Sequence, residues 1–208
     1  MKIIPAILAK IPEEFETMVR KIEPYTDLVH LDIADAGFVP NKTIDGFKEL
    51  EKIKTKLNFE IHLMVNNPDQ VISNWLNTKA IRYLVHWEAA SDFDFIINKI
   101  NVAGHEVGFV FNPQTDYSAV EPYIDRINLV QFMTVDPGFY GSPFLPEVLD
   151  KIRDFHIRYP GKQIQVDGGV HSDTIKMIIE AGASSAVLGS HIFSEGRDIG
   201  EVLKELNV

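Results

Sequence analysis

The run HLDIADAGFVPN, residues 30–41, sets a histidine and two aspartates into a stretch that otherwise reads as a buried β-strand. His30 and Asp32 lie two positions apart, so on a strand they point to one side. Two further places repeat the pattern. His62 falls near the end of NFEIHLMV (58–65), and Asp167 near the end of QIQVDG (163–168). Unpaired charges at such positions are costly to bury, and a shared cation removes that difficulty. Imidazole and carboxylate ligands, with no thiolate, suit one divalent ion such as Zn²⁺, Mn²⁺, Fe²⁺ or Co²⁺. Each residue also has a bland reading. A lone strand histidine is commonly a satisfied core or surface group, and a strand-end aspartate is commonly a helix cap. Asp167 lies several residues before the helical pattern that starts near 172, which is early for a cap.

A second constellation suits an anion. Asp167 runs into Gly168 and Gly169, and SAVLGS (185–190) ends in Gly189 and Ser190. Glycine lets backbone N–H groups approach a phosphate closely, and the loops after the last two strands of a parallel barrel often hold one. A GG pair alone means only a tight turn. The segment MTVDPGFYGSPFLP (133–146) places Gly138 and Gly141 around Phe139 and Tyr140. It reads as a lid over the site, with a self-packed Ω-loop as the alternative. His86 and Glu88, in YLVHWEAA (83–90), end another apolar run and face the same rim or support it. His105, His156, His171 and His191 read as surface groups, and Met18, Trp75 and Met177 as core packing. No Ser-His-Asp order, Walker loop or nucleic-acid motif is present.

These groups must be carried by something regular, and the chain supplies it. Short apolar runs alternate with amphipathic segments: KIIPAIL (2–8), LVHLDI (28–33), NFEIHLMV (58–65), IRYLVHW (81–87), EVGFVF (106–111), NLVQFMTV (128–135), QIQVDG (163–168) and SAVLGS (185–190). Candidate helices lie at 12–22, 45–56, 68–78, 92–102, 117–123, 145–157, 172–181 and 197–205. Strand-then-helix repetition means a parallel sheet with right-handed crossovers. Eight such units in 208 residues predict a compact α/β fold, the (β/α)8 barrel, as a single domain over 1–208. An open doubly wound sheet is the rival reading, but it usually carries a glycine-rich loop after its first strand. Here that position holds LAKIPEE (8–14), without a glycine. In a barrel the C-terminal strand ends share one mouth, which is where His30, Asp32, His62 and Asp167 fall.

The net charge of −10 argues against nucleic acid or an anionic membrane as partner. It leaves room for a phosphorylated small molecule in a local pocket. The absence of cysteine excludes a disulfide framework and a thiolate site. No apolar run approaches 18 residues, so no membrane span is expected. The N-terminal MKIIPAILAKIPEEFE lacks a signal-peptide pattern, so the expected location is cytoplasmic. Barrels of this size often associate, so a homo-oligomer is expected, with no patch that decides its size.

The same segments, in the same order, resemble the ribulose-phosphate 3-epimerase family. The resemblance runs from PAIL (5–8) through HLDIADAGFVPN, HLMV, HWEA, MTVDPGFYG and VDGGV to the terminal GS, and so covers nearly the whole chain. It implies a metal-dependent barrel acting on a phosphorylated ketose. By the motif match the metal ligands are His30, Asp32, His62 and Asp167. The resemblance also makes Asp32 and Asp167 the catalytic pair. One removes the C3 proton next to the carbonyl to give a planar enediolate, and the other returns a proton to the opposite face. Phosphate contacts are implied for Gly138, Phe139, Tyr140, Gly141, Gly168, Gly169, Gly189 and Ser190, and sugar-facing apolar contacts for Met64 and Met133. The implied substrate is D-ribulose 5-phosphate, giving D-xylulose 5-phosphate. Another ketose phosphate such as a hexulose 6-phosphate, or a non-catalytic phosphosugar-binding barrel, are the alternatives.

The departures cluster near the substrate. This chain has Ala6 where the family usually has serine, and Ala34 where it usually has methionine. It reads Asp35-Ala36-Gly37-Phe38 for the usual DGHF, and Tyr140-Gly141 for Gly-Gly. Loss of a substrate-contacting hydroxyl at Ala6 would change the choice of sugar more than the chemistry.

Overall fold

The computed structural model describes residues 1–137, 141–193 and 198–206. Eight strands close into a barrel: β1 (Lys2–Ile7), β2 (Leu28–Ala34), β3 (Asn58–Met64), β4 (Ala80–His86), β5 (Glu106–Phe111), β6 (Leu129–Met133), β7 (Gln163–Asp167) and β8 (Ser185–Leu188). Each pairs in parallel with its sequence neighbour, and β8 pairs back onto β1. The expected (β/α)8 barrel is therefore the architecture observed.

Outside the strands lie α1 (Pro12–Ile22), α2 (Phe47–Lys52), α3 (Pro68–Trp75), α4 (Phe93–Val102), α5 (Val148–Arg158), α6 (Ile175–Glu180), α7 (Ser190–Phe193) and α8 (Ile199–Leu206). Between β5 and β6 the expected helix over 117–123 is instead a 3-10 segment, Tyr117–Arg126. Pro122 lies inside it and has no N–H for an α-helical bond, which favours the tighter winding. The short α7 was not foreseen. Among the described residues no helix is long and apolar enough to cross a membrane.

Strand alternation divides the interior into two parts. Outward residues such as Val29, Leu31, Ile33, Phe59, Ile61, Phe109 and Phe132 pack against Phe15, Trp75, Ile96 and Phe155 of the helices. This layer is the apolar bulk of the fold, and α1 shows how it forms. Phe15, Met18, Val19 and Ile22 make its buried face, Pro12 opens it, and Glu13 and Glu14 sit at the positive end of its dipole. Met177, expected in the core, is instead among the exposed large hydrophobic residues.

The inward face is mixed. Leu84, Val110, Leu129 and Met133 form an apolar cluster on one side. Beside it His30, Glu60, His62, Gln131, Gln165 and Ser185 are buried polar groups. Register then aligns the mouth, placing Asp32 beside His62 on β2 and β3, and Met133 beside Asp167 on β6 and β7.

Candidate active site and metal centre

His30, Asp32, His62 and Asp167 each offer a ligand atom, and those atoms all lie within 4.8 Å of one another. His62 Nδ1 lies 2.9 Å from Asp32 Oδ1 and 3.4 Å from Asp167 Oδ2. His30 Nε2 lies 3.3 Å from Asp32 Oδ1 and 3.6 Å from Asp167 Oδ2. Yet this nitrogen is buried and makes no hydrogen bond. Two imidazoles and two carboxylates converging around an unsatisfied nitrogen are a donor set that fits one divalent cation.

Without a cation the two carboxylates are pushed apart electrostatically. Burial opposes charge on Asp32, but the neighbouring His30 and His62 override it and hold its carboxyl well below the usual range. Burial, aided by the charges of Asp32 and Glu60, pushes Asp167 up to about 6 against the pull of the same histidines. Such a split within one site is a mark of acid–base work.

Each histidine is held from behind. His30 Nδ1 lies 2.7 Å from Glu60 Oε1. Burial disfavours a charge on His30, yet Asp32 and Glu60 raise its pKa well above the usual histidine range. His62 Nε2 meets His86 Nε2 at 2.9 Å, and His86 Nδ1 meets Glu88 Oε2 at 3.3 Å. Burial pushes His86 down to about 4, so it is neutral. It donates to Glu88 and accepts from His62. Phe38 covers this relay, its ring centroid 4.6 Å from that of His86. The loop carrying Phe38 is tied by Asp35, whose Oδ1 accepts from Gly37 and Phe38 N–H and whose Oδ2 accepts from Asn66 N–H on the neighbouring loop.

Above these four residues opens a pocket of about 500 Å³. Asp32, His62, Asp167, Met64, Met133, Gly141, Gly168, Gly169, Gly189 and Ser190 all line it. His30 lies beneath, fully buried. Gly138, Phe139 and Tyr140 fall outside the described residues. Ala6 also lines the wall, and Ala34 packs with Met64 and Val39 beside it. His171 and His191, read from the sequence as surface groups, stand on this wall too, with ring centroids 6.4 Å apart. The loops after β7 and β8 turn inward over the mouth, which strand spacing alone does not reveal.

Gly168 shows why glycine is needed there. Its φ is +108°, and a Cβ would lie 2.3 Å from Val135 Cγ2. Its carbonyl also accepts from Thr134 Oγ1 at 2.6 Å, locking the base of the loop after β6 to β7. Gly168→Ala is therefore expected to cost about 1–3 kcal/mol in backbone strain and contact. A thermal melt reads this as a lower Tm, and an unchanged Tm would mean that Val135 yields freely.

The sequence reading missed Glu60, Arg82, Gln131 and Gln165. The signal was strand alternation: Glu60 lies two before His62, and Gln165 two before Asp167. Gln131 Nε2 donates to Asp167 Oδ2 at 3.1 Å, so this hidden layer reaches both ligand groups.

Comparison with known proteins bears on the whole barrel. The chain is similar to the cytoplasmic isoform of ribulose-phosphate 3-epimerase from Oryza sativa subsp. japonica, 36% identical over 215 residues, covering 99% of this chain and 92% of the relative. The ribulose-phosphate 3-epimerase of Escherichia coli (strain K12) is 33% identical over 211 residues, covering 98% and 93%. Among solved structures, 3-hexulose-6-phosphate synthase from Salmonella typhimurium superposes with a TM-score of 0.73 at 16% identity, covering 99% of this chain and 96% of that one. At that identity the likeness speaks for the fold alone. The profile of the ribulose-phosphate 3 epimerase family matches residues 2–193. A match that spans every strand of the barrel, joined by relatives of this identity and coverage, places the chain: it belongs to the ribulose-phosphate 3-epimerase family.

Proposed function

We propose that this epimerase inverts C3 of D-ribulose 5-phosphate to give D-xylulose 5-phosphate, with Asp32 and Asp167 as the acid–base pair. The observation that carries the reading is the pairing of two carboxylates, the buried Asp32 on β2 and the partly buried Asp167 on β7, within one 4.8 Å group of possible ligand atoms. A C–H next to a carbonyl is a poor acid. A carboxylate at C3 on one face removes the proton and leaves a planar enediolate. The carboxyl on the other face delivers a proton and inverts the centre, and the roles exchange in the reverse direction. His30, Asp32, His62 and Asp167 would hold the cation. When bound, it would stabilise negative charge on the substrate oxygens as a Lewis acid.

The remaining residues orient the sugar. Gly168, Gly169, Gly189 and Ser190, with Gly141, present a lining suited to the phosphate. The loop residues Gly138, Phe139 and Tyr140 are assigned to the same end by resemblance alone. Met64 and Met133 give the sugar an apolar wall that excludes water from the reacting carbon. A lyase built on lysine has no support, since no lysine lines the pocket among the described residues. Ala6 favours one second reading. A small methyl group on the wall leaves space for a longer ketose, such as a hexulose 6-phosphate.

The test is a panel of ketose phosphates in deuterated solvent, followed by proton NMR on protein reconstituted with Zn²⁺, Mn²⁺, Fe²⁺ or Co²⁺. Exchange and inversion at C3 are expected, lost with a chelator and restored by metal, with kcat/KM highest for the pentulose 5-phosphate. A higher kcat/KM for a hexulose phosphate replaces the substrate. Silence on every sugar with every metal leaves a binding barrel.

A further inference from the structure

Below the catalytic rim the barrel holds a carboxylate that the proposed reaction does not use. Glu60 on β3 is 0% exposed. An ionised carboxylate at such a place needs full compensation. Its Oε1 accepts from Gln165 Nε2 at 2.6 Å and faces His30 Nδ1 at 2.7 Å. Its Oε2 accepts from Arg82 Nη1 at 2.8 Å. Arg82 is held in turn, its Nε donating to Glu106 Oε2 at 2.7 Å. Gln165 is equally constrained, donating also to Gln131 Oε1 at 2.9 Å and accepting from Ser185 Oγ at 3.0 Å. Both oxygens of Glu60 are thus committed, and the side chain has nowhere else to turn.

This arrangement dictates the state of His30. An ionised carboxylate only accepts, so the ring nitrogen facing it must carry a proton. The guanidinium of Arg82 keeps Glu60 in that accepting form. With the proton fixed on Nδ1, Nε2 is the nitrogen left to face Asp32 and Asp167, and it is the one with no hydrogen bond. Histidines that bind metals commonly donate their other N–H to a carboxylate, which sets ring orientation and raises basicity.

We propose that Glu60, clamped by Arg82, is a positioning residue that fixes His30 as an Nε2 ligand of the metal centre. The inference rests on the metal-centre reading above. The competing account is an ion pair that only ties β3 to β4, which would affect stability without selecting a nitrogen of His30.

The experiment measures Zn²⁺ affinity by chelator competition, and ¹⁵N-edited NMR of the histidine rings in the Zn²⁺-loaded full chain. In the parent, His30 carries its proton on Nδ1 and binds Zn²⁺ through Nε2. Glu60→Gln, nearly the same shape but neutral, is expected to weaken Zn²⁺ binding by about 10–100-fold. It should also speed solvent exchange of the Nδ1 proton. Arg82→Met is expected to move both readouts in the same direction. Unchanged Zn²⁺ affinity in Glu60→Gln overturns the proposal. So does a parent spectrum with Zn²⁺ on Nδ1, which decides the matter even should the variants fail to fold. A parent that binds no Zn²⁺ overturns this proposal and the metal-centre reading together, whereas failure of this proposal alone leaves Zn²⁺ binding intact.

Discussion

Asp32→Asn and Asp167→Asn are each expected to lower kcat for C3 inversion by about 10²–10⁴-fold. The larger part of the expected result is qualitative. In the proposed mechanism two carboxylates on opposite faces each serve one epimer of the substrate. Removing one should abolish inversion, yet leave slow solvent exchange of the C3 proton from the epimer that the surviving carboxylate faces. The two variants should therefore exchange opposite epimers, and the double variant neither. Both aspartates also belong to the group that would hold the cation, so weaker metal binding is a competing cause. Measurement at saturating metal separates the two, since acid–base loss persists there. Hydrogen bonding permits these replacements. Asn at 32 can still pair with His62 Nδ1, and Asn at 167 can turn its oxygen toward Gln131 Nε2. Residual exchange from the same epimer in both variants would replace the two-sided mechanism with a single base.

The legible part of this molecule is the part where period and position coincide. HLD, HLM and VDG mark strand ends because a histidine or aspartate falls near the end of an apolar run, and a parallel barrel gathers all such ends at one mouth. The apolar outer layer is legible for the same reason, since Val29, Leu31 and Ile33 alternate with His30 and Asp32. Glu60 was passed over although it shares a face with His62. Its compensation comes from Arg82 on the next strand and from Gln165, 105 positions away, and no local window contains them. His171 and His191 failed differently. His171 sits on the loop after β7, whose path over the pocket depends on the positive-φ Gly168 and Gly169 and on the packing of Phe144 against Gly169, and His191 sits on the short α7 that follows β8. The 3-10 segment is an intermediate case: Pro122 was visible in the sequence, but its effect on winding was not drawn.

Arg82→Met is expected to destabilise the fold by about 3–5 kcal/mol, the range for stripping one member of a buried ion pair. For a chain of this length that is a fall in Tm of roughly 10 °C. The loss arises from what remains rather than from what is removed. Methionine fills most of the space, but the buried Glu60 loses its counter-ion and must either hold an uncompensated charge or take up a proton, and both cost stability. His30 and Gln165 still donate to Oε1, whereas Oε2 loses its donor. Glu106 loses a partner as well, but it is far more exposed, with a side chain at 42%, and water replaces the bond there. The double variant Arg82→Met, Glu60→Gln discriminates between the causes. If the uncompensated charge dominates, neutralising it should recover part of the loss, and the double variant should melt above Arg82→Met. If packing of the long arginine stem dominates, the two changes should add. Additive destabilisation in a double-mutant cycle would therefore remove Glu60 as the reason that Arg82 stands at the floor of the barrel.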